Sequence, residues 1–171
     1  MKKIIAFIIL LFALTPDAKL FAQTNFEVPS NVNLEKKEDY TKYETDIITA
    51  ADWLEETPFN EQKDKRRKVN AFVAVWVLGS PTVTITMTST LTDFDKKNTG
   101  MMVLYMAAYS KYVLKNNYSK DVKAAKTAAL KSLIKVYTSG KGISRDKKME
   151  KLVQADTDGK LDDWINENMK E

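Results

Sequence analysis

The side chains able to do chemistry in this sequence are acids, lysines and serines, because it has no histidine and no cysteine. The commonest general base near neutral pH and the commonest zinc ligand are therefore missing. A Ser-His-Asp triad, a Cys-His pair and a histidine metal site are all excluded. Two carboxylates about 5–10 Å apart in a cleft, one with a raised pKa, would suit glycoside hydrolysis. The candidates for that chemistry are Asp93 and Asp95 around Phe94, and Asp162 and Asp163 beside Trp164. Ser132 and Lys135, and again Ser144 and Lys147, have a Ser-x-x-Lys spacing that can set a lysine amine beside a nucleophilic serine. Ser132 falls inside an expected helix and Ser144 reads better as a helix cap, so both pairs are taken as ordinary solvated helix residues.

The Ser-x-x-Lys spacing resembles that of penicillin-binding proteins and related β-lactamases, but no Ser-Asp-Asn or Lys-Thr-Gly element accompanies it and the chain is too short for that fold. Residues 154–165 resemble part of an EF-hand calcium loop, with Asp156, Asp158, Gly159, Leu161 and Asp162 in matching positions. The loop fails at its first position, Gln154, and at its twelfth, where Ile165 replaces the bidentate carboxylate that closes such a site. Asp156, Asp158 and Asp162 are thus weak metal candidates, and the stretch reads as a helix–turn–helix in which Gly159 ends one helix. No cofactor is implied.

Two segments could bind a macromolecule. Lys63, Lys65, Arg66, Arg67 and Lys68 form a basic run diluted by Glu61 and Asp64, which reads first as a solvated helix face and second as a contact for an anionic envelope polymer. Thr82, Thr84, Thr86, Thr88, Thr90 and Thr92 alternate with Val83, Ile85, Met87, Ser89 and Leu91, a period of two that suits a half-buried extended segment or an edge able to pair with a partner. Thr82, Thr84, Thr86, Thr88, Lys63, Arg66 and Arg67 form the expected interaction surface.

The N-terminus decides the compartment. Lys2 and Lys3 precede an unbroken apolar run of eleven residues, 4–14, which fits a signal-peptide core and falls well short of the roughly 20 residues of a membrane span. Leu20-Phe21-Ala22-Gln23 then places a small residue before an expected cut behind Ala22. No cysteine follows to carry a lipid anchor, so the product is expected to be periplasmic or secreted, with no stable membrane anchor and no nucleic-acid partner. The lysine start and the Ala22-Gln23 ending resemble signal sequences of Gram-negative bacteria, and the mature region resembles small helical exported proteins of those bacteria that carry domains of unknown function. Loss of residues 1–22 removes three lysines and one aspartate, so the net charge falls from +4 to +2.

The remaining 149 of 171 residues fit one domain. Residues 23–35 read as a flexible leader and 36–171 as a single helical domain. Apolar steps of three and four predict a helix over 36–56 and a second from Pro58, capped by Thr57, to Leu78. The second half of that helix is apolar on every side, which predicts burial all round. An extended stretch near 82–87 and a helical turn near 90–97 should follow. Next comes a helix over 100–115 capped by Asn98 or Thr99, another from Ser119 to Gly140, one after Ser144 and one after Gly159. The expected fold is all-α, a compact bundle of five to six helices with one Thr-rich extended or short helical segment near 82–92.

The functional expectation is an exported, non-catalytic helical protein that binds a protein or a cell-envelope component. The alternative is a hydrolase of cell-wall or glycan material using paired carboxylates. Binding predicts an exposed apolar patch around 82–94 or on the Tyr40–Tyr43 face.

Overall fold

A computed structural model describes residues 25–170, and the apolar run with its cleavage site lies outside them. Among the described residues the all-α class is as expected, with no strand, and the helices number eight rather than five to six. They are α1 (Lys37–Thr41), α2 (Glu44–Glu56), α3 (Lys63–Gly79), α4 (Ser89–Asp95), α5 (Met101–Lys115), α6 (Val122–Ser139), α7 (Lys147–Thr157) and α8 (Leu161–Asn168). The apolar run from Met101 makes α5 the central helix, and it packs against α2, α3, α4 and α6. The pair α7 and α8 closes the far side of α6.

One of the extra helices arises where a side chain captures a main-chain group. The helix expected over 36–56 breaks at Lys42 and Tyr43, dividing α1 from α2. Trp76 is fully buried, and its indole N–H donates to the Tyr40 carbonyl at 2.9 Å, the oxygen a continuous helix would give to the N–H of Glu44. Gly79 lies beneath Tyr40, and a Cβ there would lie 1.9 Å from the Tyr40 hydroxyl, so a side chain at this position would have to displace the Tyr40 ring. Thr57 ends α2 instead of capping α3, which begins at Lys63 after Gln62 adopts a left-handed conformation. Residues 58–62 are held as a turn by the Phe59 N–H, which donates to the Lys141 carbonyl at 3.0 Å.

The caps also differ from those expected. Asp95 takes the place of Asn98 or Thr99, its carboxylate accepting from the N–H groups of Gly100 at 2.7 Å and Met102 at 3.1 Å. Gly100 turns there with φ 108°, in the region that favours glycine. Asn98 instead pins the chain at residue 144: its amide donates to the Ser144 carbonyl at 2.9 Å and accepts from the Ser144 N–H at 2.7 Å. Asp121 rather than Ser119 caps α6, and Asp146 rather than Ser144 caps α7. Ionised carboxylates suit these positions because they both accept the free N–H groups and meet the positive end of the helix dipole.

Of the segment expected as a leader, residues 25–35 lack helix. Phe26 is buried against Phe72 at 6.2 Å between ring centres, and Glu27 pairs with Lys65 at 2.6 Å. Residues 83–88 carry neither helix nor strand. Val83 is buried, Ile85 half-buried and Thr84 and Thr86 exposed, so the period of two holds over 83–86 without a ladder and fails at Met87, which is exposed. Among the described residues no helix is long and apolar enough to cross a membrane.

Candidate functional site

The Ser-x-x-Lys pair on α6 meets a carboxylate on α2. Ser132 and Lys135 lie three residues apart on one helical face, and both reach Glu55, the serine hydroxyl donating at 2.6 Å and the ammonium at 2.8 Å. Lys111 of α5 approaches Glu55 at 3.8 Å and is bonded to Asp52 one turn earlier on α2. The cluster therefore ties three helices together, and Ser132 is not the solvated residue expected.

Its electrostatics disfavour nucleophilic chemistry. Burial would push the Glu55 carboxyl up, but hydrogen bonds from Lys135 and Ser132 and the charge of Lys111 outweigh it and hold the group below its ordinary 4.5. Such a carboxylate is a weak base for the serine proton. At Lys111 burial acts to lower the ammonium pKa, and the Asp52 hydrogen bond with the Glu55 charge more than reverses it. That amine stays protonated and cannot serve as a base either. Glu55 separates two cavities of about 310 and 350 Å³, the first bounded by Thr57, Pro58 and Val136, the second by Tyr112, Lys115 and Ala128.

The paired acids are engaged elsewhere. Asp93 pairs with Lys148 and with Lys96 at 2.6 Å, and these two hydrogen bonds hold its carboxyl below the usual range, whereas a general acid needs it raised. Asp95 is committed to the α5 N-terminus. Asp162 pairs with Lys123 at 2.7 Å, and Trp164 stacks on Phe94 at 6.1 Å and 14°, which removes it as a free aromatic wall beside Asp163. Burial raises the carboxyl of Asp46, which belongs to neither candidate pair. Of the loop acids, Asp158 accepts from Gln154 at 2.7 Å and Asp156 faces Lys131 at 3.9 Å. Among the described residues no three acids gather as a metal site.

The expected interaction surface divides. Lys63 and Arg67 are exposed on α3, Arg67 pairing with Asp64 at 3.2 Å. Arg66 is not on that surface: it is 5% exposed, its guanidinium over the rings of Phe59 at 4.4 Å and Trp53 at 5.5 Å, donating to the carbonyls of Leu54 and Thr57. Neighbouring residues on a helix are rotated by about 100°, so Arg67 carries its charge outward while Arg66 points to the aromatic side of the helix. Thr84 and Thr86 are exposed, Thr82 and Thr88 half-buried, and the Thr88 hydroxyl is buried without a partner.

The sequence reading missed the apolar surface. Tyr40 and Tyr43 are half-buried against the core, and Met87 is exposed within the 82–94 stretch. The larger exposure lies on the half of α3 expected to be buried all round: Leu78 is 81% and Val75 57% exposed, with Ala71 exposed one turn before. Ala71, Val75 and Leu78 continue from Lys68 in steps of three and four, so they form one stripe. That spacing was the available signal. Comparisons of this chain with protein-family models, curated proteins and solved structures found no match.

Proposed function

We propose that the protein is an exported, non-catalytic binding protein, periplasmic or secreted, that takes a protein partner on the outer face of α3. The observation that carries this reading is the line of Ala71, Val75 and Leu78, facing water next to a charged half-helix. Fully covering a valine or leucine stabilises a complex by roughly 1.5–3 kcal/mol each, enough for these two residues to anchor a modest interface. Exposed Lys63, Arg67 and Lys68 outnumber Asp64 at the other end of the face, so the fitting partner presents an apolar ridge that runs into acidic residues. An anionic polymer would satisfy the lysines and leave Leu78 uncovered, which favours protein over polymer. The hydrolase alternative gains nothing from Asp93 and Asp95, whose carboxylates are bound to lysines and to main-chain N–H groups.

A photoreactive residue at position 78, with Val75→Asp as the control background, tests the proposal in the native host. Cross-linking to one acidic-flanked protein that disappears in the Val75→Asp background supports it. Cross-linking only to a second copy of the chain, or identical products in both backgrounds, overturns it. N-terminal sequencing of the same product should begin at Gln23, and a chain still starting at Met1 in the cytosol would remove the export half of the proposal.

A further inference from the structure

The main-chain groups of residues 84–88 are left over by the fold. The N–H groups of Thr84, Ile85, Thr86, Met87 and Thr88 make no hydrogen bond among the described residues, and the carbonyls of residues 83–87 accept none. Before this stretch, the N–H groups of Thr82 and Val83 donate to the Ser80 hydroxyl at 3.3 and 3.2 Å. After it, those of Leu91 and Thr92 donate to the Thr88 carbonyl at 3.2 and 3.4 Å. Thr88 itself is extended, with φ −110° and ψ 159°, and the inward and outward alternation over 83–86 is that of a strand. The segment is strand backbone without a sheet. Because there is no strand among the described residues to pair with it, a ladder has to come from another chain.

The residues fit that use. Exposed edges are commonly guarded by a lysine, a proline or a bulge, whereas from Thr82 to Thr92 there is no charged residue, proline or glycine. Six of those eleven residues are threonine, and with Val83 and Ile85 they are β-branched types that favour extended backbone. A row of alternating donors and acceptors repeating about every 3.3 Å is matched by another extended main chain. An anionic polymer offers acceptors alone and would leave the carbonyls unmet.

We propose that residues 84–88 pair with the same residues of a second copy of the chain, as an antiparallel two-stranded ladder about a two-fold axis. The argument for a second copy is self-complementarity. With the axis at residue 84, 85 or 86, every even-numbered position faces another even-numbered position, and all of these from 82 to 88 are threonine. The exposed Thr84 and Thr86 then meet hydroxyl side chains suited to cross-strand contact, and no charge opposes its own image across the axis. This edge is separate from the α3 face and does not depend on it. Cross-linking from position 78 in a Thr86→Lys background reports the α3 face alone, so either proposal can fail without the other.

The test is sedimentation equilibrium of the purified protein, joined to single-cysteine cross-linking, which is clean because the chain has no cysteine of its own. A monomer–dimer equilibrium with Kd below about 1 mM is expected. Thr86→Lys should weaken it at least about ten-fold, because it sets two ammonium groups beside the axis, and should leave the melting point of the dilute monomer unchanged. Thr92→Lys, the same charge change at an exposed position outside the ladder, should leave the dimer intact. Directly opposed Cβ atoms lie about 4.5–5.5 Å apart, close enough for a disulfide after a small shift. With Thr84→Cys and Thr86→Cys chains, alone and mixed, one of the pairings 84–84, 84–86 or 86–86 should therefore oxidise at least about ten-fold faster than Thr92→Cys with itself, and the fast pair fixes the register. A monomer at all concentrations would overturn the proposal. So would an assembly larger than a dimer, a dimer that Thr86→Lys does not weaken, or cross-linking no faster at 84 and 86 than at 92.

Discussion

Glu55 on α2 and Arg66 on α3 are both charges withdrawn from water, and neighbouring helices keep them by opposite means. Glu55, with its side chain 8% exposed, is surrounded by donors: Ser132, Lys135 and Lys111 come from two other helices to meet it. Among the described residues Arg66 has no carboxylate partner; it lies between two aromatic rings and gives one nitrogen to two carbonyls, with Nε and Nη1 buried and not hydrogen-bonded there. Its burial pushes the guanidinium pKa down to about 10, which still leaves it charged at neutral pH. The difference shows two ways of using a buried charge. One is a cross-link whose strength depends on protonation; the other is a flat, polarisable filler whose charge is tolerated for its shape.

The largest expected effect follows from that distinction. Arg66→Ala removes the ring contacts, opens a cavity and strips the donor from the Leu54 and Thr57 carbonyls, and should cost about 3–5 kcal/mol in a urea unfolding curve. Arg66→Met keeps the stem and most of the volume while deleting the charge, and should cost about 1–2 kcal/mol, chiefly for the abandoned carbonyls. Equal losses in the two variants would show that the donor, and not the shape, is what holds this corner.

Glu55→Ala should be milder, about 1–3 kcal/mol, because its partners are left with alternatives: Lys135 is exposed and Lys111 retains Asp52. The pH dependence separates the two sites further. The folded Glu55 carboxyl lies below its ordinary 4.5, so the folded state holds this proton less readily than the unfolded chain does. Its contribution is complete above about pH 4.5 and is lost as pH falls through the lower, folded value. Glu55→Gln should therefore flatten the acid limb of a stability–pH curve, whereas Arg66→Met should shift that curve down without changing its slope there. Parallel acid limbs for the parent and Glu55→Gln would remove protonation from the account of this cluster.

These sites also mark what the amino-acid sequence could and could not reveal. The cores of α5 and α6 follow from apolar runs and stripes, and Gly140 ends α6 where expected, because local periodicity and a left-handed glycine need no distant partner. The break between α1 and α2 was not legible, since it depends on an indole 36 residues further along. Arg66 sits in a run of charges that all read alike, and only the arrival of Trp53 and Phe59 on one side of the helix distinguishes it. The α3 stripe was present in the spacing of Ala71, Val75 and Leu78, but a half-helix apolar on every side hides which face stays uncovered. Ser132 and Lys135 were singled out for their spacing, which correctly puts them on one face. Their role was not legible because the acid they meet lies on another helix.

The smallest effect gives the sharpest reading of that role. Ser132→Ala removes one neutral donor from an ionised, buried acceptor while leaving Lys135 and Lys111 in place, so the loss should be about 1 kcal/mol. If the serine works only through Glu55, its effect should nearly vanish in a Glu55→Ala background, which leaves it no acceptor, and a double-mutant cycle would return a coupling close to the single-mutant value. If the two losses simply add, the hydroxyl is stabilised by something other than the carboxylate 77 residues away, and the cluster is two separate pairs instead of one network.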